Sequence, residues 1–424
     1  MPLLDNIDNH DQTPSHVLSC HMVTDEMWAK DTVQQFPALP DNPAPLIAYA
    51  SSKNNAPAII ISIGSENQTD SQLKEYAHKA GALCAAKAEA IGYLSIVLAI
   101  NTIYKTLDPH LAYEFADGAK TRAYRFDKYK SCPSTPLHVF HDCLSDQTIP
   151  DLEIAQTLYV TQKWARDITM EPSNVLTPLE MAKAVKKAAP ETMSVSIWDD
   201  DEIKERGLKA IESIGKSSCN PPAIASCSYA GGPDDQKPIL LVGKGVTFDA
   251  GGIAIKPESE YANCPMKTDM YGGAIIAGAM MAAAALKLPV NLVGLIGCAE
   301  NLPAPGAINP HDVIEIYGGR TIEVAHTDME GRFIMAELMQ YGIDRADPAA
   351  IINAGTLSYG AVSALGETAG CYMTNNSDMA RVISESASTA RELMSYFPMD
   401  DDLDDFLHSE VADYQIQNFP VADT

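Results

Sequence analysis

Short apolar runs alternate with longer helix-patterned stretches along most of this chain, and this alternation constrains its fold more than any other feature. Short runs rich in β-branched residues are typical of buried strands, whereas the stretches between them have the apolar spacing or the small residues of helices. Strands that alternate with helices predict a sheet covered on both faces. The predicted strands are 56–63, 93–100, 238–245, 290–301 and 349–358, and the predicted helices are 71–92, 154–168, 177–190, 272–288 and 330–343.

The length of the chain, 424 residues, predicts two domains, because a single core rarely grows to that size. The segment 130–136, KSCPSTP, interrupts regular structure, and a second αβ series begins near Asp151. We therefore expect an α/β protein with a smaller N-terminal α/β domain and connecting helix over 1–150. The second domain, 151–424, is expected to hold a mixed, mostly parallel sheet flanked by helices.

The charge balance is strongly acidic, with 30 Lys and Arg against 56 Asp and Glu and a formal net charge of -26. Such a surface repels phosphate backbones and anionic membranes, so neither nucleic acid nor a membrane is an expected partner. No apolar run is long enough to span a bilayer, and the first residues lack the basic and apolar parts of a secretory signal. The nine scattered cysteines fit reduced thiols better than a disulfide framework. A cytoplasmic location is expected.

The stretch HTDMEGR, 326–332, places acidic and basic residues at strictly alternate positions. If this backbone is extended, then Asp328, Glu330 and Arg332 point to one side. Two carboxylates on one side repel each other unless a cation lies between them, and that cation can be a metal ion, the nearby arginine or only solvent. Taken alone, the triplet is more often an exposed strand end than a site.

Two further stretches have the same polar density: VGKGVTFDAGGIAIKP, with Lys244, Asp249 and Lys256, and MKTDMYGG, with Asp269. Ligands of open α/β sheets bind at the carboxyl ends of the strands, where these residues should lie. Four carboxylates match the charge of two divalent cations, and oxygen ligands suit Zn, Mn or Mg according to geometry. A phosphate-binding loop is excluded because the GxxxxGK[ST] spacing is absent.

The lysines and the arginine can take distinct parts in such a centre. A lysine beside metal ions has its ammonium form disfavoured, so Lys244 can be a neutral nitrogen ligand. Lys256 can stay charged and stabilise an oxyanion, and Arg332 can hold a small anion bidentately. A two-metal phosphoesterase is the rival use of an ion pair, but it needs a clamp of several basic groups, and only Lys256 and Arg332 are available here.

Taken together and in this order, the three stretches resemble the signature of the leucyl aminopeptidase family, the two-metal cytosolic aminopeptidases that include peptidase B. YRFDKYK, EPSNVLTP, CAENLP and GTLSYGAVSALG are supporting matches. The resemblance implies that Asp249 and Glu330 bridge two metal ions, that Lys256 is catalytic, and that Arg332 holds bicarbonate as general base. The metal ligands it implies are Lys244, Asp249, Asp269, Asp328 and Glu330.

The activity implied by the resemblance is removal of N-terminal residues from short peptides by a hydroxide that bridges two divalent metal ions, in a homo-hexamer. The residues it implies for the substrate pocket are Met266, His326, Thr356 and Tyr359. His326 stands where the family usually has Asn, Tyr359 replaces a small Gly, and the loop before Asp269 is two residues longer. We expect Tyr359 to shrink or reshape the pocket for the first side chain, His326 to adjoin that pocket, and the longer loop to affect the direction of Lys256.

The resemblance also implies that family members continue beyond Thr424, through residues that form one pocket wall and part of the hexamer contacts. A catalytically weak or inactive relative with a structural or binding role is therefore the alternative to an active enzyme. Turnover of peptide substrates separates the two.

Overall fold

The computed structural model describes residues 18–23, 46–51, 57–62, 69–93, 95–98, 109–134, 137–141, 150–259, 265–399 and 405–416. Contacts divide the chain into two compact units, Met1–Lys163 and Trp164–Thr424. The boundary predicted after residue 150 stays a prediction. Among the described residues, no helix combines the length and the hydropathy that a membrane span requires.

The described elements of the N-terminal unit are β1 Leu18–Val23, β2 Leu46–Ser51, β3 Pro57–Ser62, α1 Asp70–Ala90, β4 Ser95–Leu98, α2 Pro109–Ala123, β5 His138–His141 and the start of α3 Pro150–Met170. The strands form a five-stranded sheet with the order β2-β3-β1-β4-β5. The β2–β3 pair is antiparallel and the other pairs are parallel. A buried apolar cluster lies mainly on α1 and α2 and includes Phe115, Ile96 and Leu98.

The second unit alternates helices and strands as far as its central sheet extends, and shorter elements follow. Its first helices and strands are α4 Pro178–Ala188, β6 Met193–Trp198, α5 Asp200–Glu205, α6 Lys209–Gly215, β7 Ala223–Ala230, β8 Ile239–Asp249, α7 Tyr271–Ala285 and β9 Asn291–Asn301. The later elements are β10 Val313–Glu315, β11 Thr321–Val324, α8 Glu330–Ala346, β12 Ala350–Ala354, α9 Gly360–Leu365, β13 Ala369–Tyr372, α10 Ser377–Ala390, β14 Leu393–Tyr396 and β15 Tyr414–Ile416.

The central sheet of this unit has the order β12-β8-β9-β7-β6. The α/β class and the mixed sheet are confirmed, but the sheet is not mostly parallel, because two of its four strand pairs are parallel and two are antiparallel. β12–β8 and β8–β9 are parallel, and β9–β7 and β7–β6 are antiparallel. The link between β7 and β8 explains one of the antiparallel pairs. Residues 231–238 are too few for the crossover helix that parallel strands need, so β8 runs in the direction opposite to β7. Because β9 is parallel to β8, it is antiparallel to β7.

Apolar side chains cover both faces of this sheet. One buried cluster joins α4 and α7 to the sheet, with Met181, Met280 and Ile296 among its members. The other cluster joins α6 and α8 to the opposite face and includes Phe333 and Leu338. The sheet is therefore the middle of three layers, and α7 and α8 begin on opposite faces of it.

Most of the helices and strands predicted from apolar patterning are present. β10 and β11 form an antiparallel hairpin around Gly318 and Gly319. β8 is longer than predicted, because it continues past Gly245 to Asp249. β11 also pairs with β15, so the chain that leads to residues 325–329 is held by strands on both sides.

Candidate metal centre

The carboxyl ends of β8 and β9 form the base of the site. Lys244 and Asp249 are five residues apart on β8, a spacing that places two side chains on opposite faces of a regular strand. A bulge between Val246 and Phe248 inserts one extra residue, so Lys244 pairs with Gly297 and Asp249 with Asn301, four residues apart on β9. The bulge therefore brings Lys244 and Asp249 to the same side.

Beyond β8 the chain turns back over its own end. Gly251 and Gly252 have φ values of 87° and 64°, conformations that favour glycine. The amide of Gly251 donates to Asp249 Oδ1 at 2.9 Å. This turn leads to Lys256, whose backbone N–H donates to the carbonyl of Ala250.

The backbone of HTDMEGR is not extended, so Asp328, Glu330 and Arg332 do not share the face of a strand, and the helix predicted to begin at residue 330 is confirmed. Residues 327–329 form a turn, and Glu330 is the first residue of α8. Residues 325 and 326 are tied by their backbone N–H groups to the carbonyl of Ile416 in β15, which ends the strand before Asp328. The carboxylates still meet, because the turn and the helix start bring oxygen atoms of Asp328, Glu330 and Asp249 within 4.8 Å of one another.

Each of the two lysines lies between two carboxylates. Lys244 Nζ is 2.7 Å from Asp269 Oδ2 and 2.8 Å from Glu330 Oε1. Lys256 Nζ is 2.9 Å from Asp249 Oδ2 and 2.5 Å from Asp328 Oδ1. Asp269, which follows a 3₁₀ turn before α7, is thus brought to the same centre as residues of β8 and α8. The structure therefore brings together all six of these predicted side chains.

Electrostatics in the centre are governed by burial and by an excess of carboxylates. Burial lowers the pKa of Lys244, but Glu330 and Asp269 outweigh it and raise this pKa overall. The pKa of Lys256 is raised in the same way, burial being outweighed by Asp249. Their carboxylate neighbours therefore keep both lysines in the charged form.

The pKa values of the carboxyl groups are shifted in different directions. Burial raises the pKa of Asp269 well above its usual value, and Glu330 adds to this effect. Burial and Asp249 raise the pKa of Asp328 to about 7. Asp249 itself has a lowered pKa, because Lys256 and Lys244 outweigh its burial. The centre thus concentrates more negative charge than its own lysines neutralise.

The residues fit divalent cations on two counts. Four carboxylates face two ammonium groups, which leaves two negative charges in a buried site. Among the described residues, Asp269 Oδ2 and Asp328 Oδ1 are buried and have no hydrogen-bond donor beyond their ammonium contacts. A carboxylate oxygen that is in contact with one ammonium group keeps a second lone pair, and a metal ion is one partner that such an oxygen takes.

The other predicted residues differ in how closely they approach the carboxylates. Thr356 donates its hydroxyl to Asp269 Oδ1 at 2.6 Å, and its carbonyl accepts from Lys244 Nζ at 3.0 Å. His326 Nδ1 accepts from the backbone N–H of Asp328 at 3.2 Å. Arg332 is half-buried on the first turn of α8, and burial lowers its pKa while Glu330 and Asp328 oppose this.

Two predicted pocket residues lie at the margins. Met266 is in the 3₁₀ turn that leads to Asp269, and its carbonyl accepts from the Asp269 N–H. Tyr359 immediately precedes α9 and is 52% exposed. The pocket roles of Met266, His326, Thr356 and Tyr359 stay predictions. Cys264, a cysteine of the loop before Asp269, lies outside the described residues.

Sequence reasoning missed three residues that support the centre. Asn301 donates to both Asp249 and Glu330, and Thr327 joins the turn before α8 to the turn after β8. Gly331 lies against the Lys244 side chain. CAENLP was part of the resemblance, but an asparagine at a strand end carries no separate signal of this role.

A second group of side chains has ligand atoms within 4.8 Å of one another, namely His78, Glu114 and Asp117 in the N-terminal unit. His78 Nδ1 lies 3.1 Å from Asp117 Oδ2, so an ion pair or hydrogen bond between α1 and α2 accounts for their approach.

Residues 163–420 match the cytosol aminopeptidase family, catalytic domain. A probable cytosol aminopeptidase of Geobacter sulfurreducens is 35% identical over 324 residues, which cover 74% of this chain and 65% of the relative. One from Syntrophotalea carbinolica is 40% identical over 308 residues, 70% of this chain and 61% of that protein. One from Rickettsia africae is 34% identical over 375 residues, 86% of this chain and 74% of the relative. The chain thus spans under two thirds of the first two relatives.

Solved structures have the same fold. The bottromycin maturation enzyme BotP in complex with Mn superposes with a TM-score of 0.78 at 26% identity, over 95% of this chain and 86% of that one. The cytosol aminopeptidase from Coxiella burnetii gives a TM-score of 0.78 at 22% identity, over 95% and 85% of the two chains. With the profile match to its second unit and these relatives, the chain belongs to the cytosol aminopeptidase family.

Proposed function

We propose that this protein is a metal-dependent aminopeptidase that releases N-terminal amino acids from short peptides. The observation that carries the proposal is the buried cluster of four carboxylates and two lysines at the ends of β8 and β9. Family membership supports the reaction class. The residues that would hold two divalent cations are Lys244, Asp249, Asp269, Asp328 and Glu330.

Two cations bound there would supply Lewis acidity toward the scissile carbonyl and make water nucleophilic at neutral pH. Mn is supported by the BotP complex, and Zn and Mg remain candidates of the same ligand chemistry. Lys244 would have to be neutral to serve as a ligand, so cation binding has to displace its proton.

The protein's own groups have separate parts in the proposed reaction. Lys256 is kept charged by Asp249 and Asp328 and supplies a positive charge for the oxyanion that develops on the carbonyl. Arg332, half-buried on the first turn of α8, would hold bicarbonate as the general base. A free α-amine is the group that an acidic, cation-binding centre selects at a peptide's end. Internal peptide bonds offer no such amine, which gives exopeptidase specificity.

The proposal extends to the setting of the enzyme. The name of the relatives, cytosol aminopeptidase, supports a cytoplasmic location. The net charge of -26 argues against nucleic acid and anionic membranes as partners. A homo-hexamer rests on the family resemblance alone.

Hydrolysis of aminoacyl anilides and dipeptides, with Mn or Zn added, tests this function. Lys256→Ala should lower kcat by 10²-fold or more, because one preorganised oxyanion partner is typically worth ~10²–10³ in rate. Lys183→Ala, which removes an exposed lysine that pairs with Glu180, is the matched control and should leave kcat unchanged.

The outcomes discriminate between the candidates. Turnover that requires metal and is lost in Lys256→Ala supports the aminopeptidase. Absence of turnover by a chain that binds Mn would favour the inactive relative instead. Turnover that survives both chelation and Lys256→Ala would show that another mechanism operates.

A further inference from the structure

Asn301 is the last residue of β9 and lies directly across from Asp249 on β8. Its backbone is fixed from both sides: its carbonyl accepts from the N–H of Ala250 at 2.8 Å, and buried Ser217 bonds to the residues before and after it. Ser217 donates to the carbonyl of Glu300 at 3.0 Å and accepts from the N–H of Leu302 at 3.0 Å. The side chain therefore starts from a defined position.

The amide nitrogen of Asn301 faces three acceptors. Nδ2 is 2.9 Å from Asp249 Oδ1, 3.2 Å from Glu330 Oε2 and 3.1 Å from the carbonyl of Thr327. Because all three oxygens only accept, the nitrogen end of the amide must face them. The oxygen end lies beside Gly252, where a Cβ would come within 2.8 Å of Asn301 Oδ1.

An amide is well suited to this place because it is a donor without charge. A lysine or arginine there would neutralise part of the charge that attracts a cation, and an acid would repel both neighbours. Asp249 comes from a strand end and Glu330 from a helix start, so no local backbone geometry fixes their separation. The shared amide supplies that link.

We propose that Asn301 is a positioning residue for the metal centre: it holds Asp249 and Glu330 in one arrangement by donating to one oxygen of each. This inference rests on the proposed function, since it assigns those two carboxylates to bound cations. The remaining oxygens, Asp249 Oδ2 and Glu330 Oε1, are the ones that face Lys256 and Lys244. Outer partners of metal ligands typically contribute ~10–100-fold to metal affinity.

The test measures Mn²⁺ binding to the full chain by calorimetry, together with the electron paramagnetic resonance spectrum of the bound Mn²⁺. Asn301→Leu removes the donor while retaining similar size. The matched control is Asn291→Leu at the other end of β9, where the amide bonds to the loop 232–236 and lies away from the carboxylates. Asn301→Ala provides a second variant if leucine prevents folding, and thermal midpoints report the stability of each.

We expect Asn301→Leu to weaken Mn²⁺ binding ~10–100-fold and to change the Mn²⁺ spectrum. Asn291→Leu should lower the thermal midpoint but leave affinity and spectrum unchanged. Equal affinity and identical spectra in wild type and both Asn301 variants would overturn the inference while leaving the proposed function intact. A wild-type chain that binds no Mn²⁺ would overturn both, whereas one that binds Mn²⁺ without peptidase activity would reject only the enzyme function.

Discussion

Gly331 shows how a residue with no side chain determines the position of one that has chemistry. It is the second residue of α8, and the Lys244 side chain passes over it on the way to Asp269 and Glu330. A Cβ at position 331 would lie 2.6 Å from Lys244 Cε and 2.7 Å from Nζ. The absence of a side chain at Gly331 is therefore what allows Lys244 its present position.

Gly331→Ala is expected to move Lys244 away from Asp269 and Glu330 and to weaken Mn²⁺ binding at least tenfold, since a hydrogen bond to a charged group typically contributes ~1.5–3 kcal/mol and ~1.4 kcal/mol is tenfold in affinity. The lysine chain is flexible, so the loss of folding stability should stay within ~1–3 kcal/mol. Calorimetric Mn²⁺ titration and urea unfolding measure the two effects.

Gly342→Ala is the control for that experiment. It crowds Leu240 from the same helix, about three turns away from Gly331. Both variants should lose stability, but only Gly331→Ala should lose Mn²⁺ affinity. Equal affinities would show that Lys244 reaches its partners by another path.

The sequence identified the charged residues of the centre but not the neutral ones that arrange them. Lys244, Asp249, Asp269, Asp328 and Glu330 stand in three dense polar stretches, which is a pattern visible without coordinates. The contribution of Asn301 depends on the register between β8 and β9, and that of Gly331 on the path of a distant side chain. Neither relation is encoded by local spacing.

At the scale of elements, α8 is held to its neighbours by a fully buried acid. Glu337, two turns after Glu330 on this helix, is 0% exposed. Its carboxylate accepts from the N–H groups of Ala210 at 2.9 Å and Ile211 at 3.2 Å, at the start of α6, and from Tyr317 at 3.1 Å. Glu337 thus ties the helix that carries Glu330 and Arg332 to α6 and to the β10–β11 turn.

Burial raises the pKa of Glu337 to about 7 from its usual 4.5, although the backbone N–H groups of Ala210 and Tyr317 oppose the shift. An acid with a raised pKa in the folded state stabilises the fold below its unfolded pKa and loses that contribution as pH rises to the folded pKa. The free energy of unfolding should therefore fall by about 3 kcal/mol from this group between pH 4.5 and pH 7. Urea titrations across this range measure it.

Glu337→Gln should remove this part of the pH dependence, because an amide does not titrate. The exposed Glu191→Gln variant, with a carboxyl in solvent, should keep the wild-type slope. If wild type and Glu337→Gln have parallel stability curves from pH 4.5 to 7, then the buried carboxylate is ionised throughout and its N–H donors dominate over burial.

The bounds of helices and strands were predictable where an apolar or small-residue pattern extended over many residues. They were not predictable where a tertiary contact ended the element. The apolar and small-residue patterns located α7 and β9. The alternation of acidic and basic residues with other residues in HTDMEGR is typical of a strand. The pairing of β11 with β15 ends at Val324 and Ile416, however, and the chain then turns into α8. The end of β11 is set by β15, a strand distant in sequence, and the residues around HTDMEGR do not encode that contact.

At the scale of the whole molecule, the five residues proposed to hold the two cations all belong to the unit Trp164–Thr424. A cation that binds the folded site and not the unfolded chain stabilises the fold by mass action, by about 2.7 kcal/mol when its concentration is 100 times Kd. Adding Mn²⁺ to metal-free protein should therefore raise the thermal midpoint of this unit. Differential scanning calorimetry with and without a chelator measures the shift.

Asp328→Asn provides the reference, because it removes one buried charge from the centre while retaining size. Its metal-free form should unfold at a temperature close to that of wild type or above it, since the cluster already has more carboxylates than ammonium groups. Its midpoint should respond much less to Mn²⁺. An equal Mn²⁺ response in both proteins would place the bound ion elsewhere.

The bulge in β8 determines which face of the strand is occupied by each side chain that follows it. Thr247 is the residue without a partner on β9, between the Val246–Ala299 and Phe248–Glu300 pairs. Any substitution that keeps the backbone leaves the phase of the strand unchanged. Deletion of Thr247 would remove the bulge together with its extra residue, so Lys244 and Asp249 would stand four residues apart and still share one face of a regular strand. Deletion of another residue between them, with the bulge kept, would instead place the two side chains on opposite faces. The common face of Lys244 and Asp249 therefore depends on the bulge and the residue spacing together, and it would survive the loss of both but not the loss of either one alone.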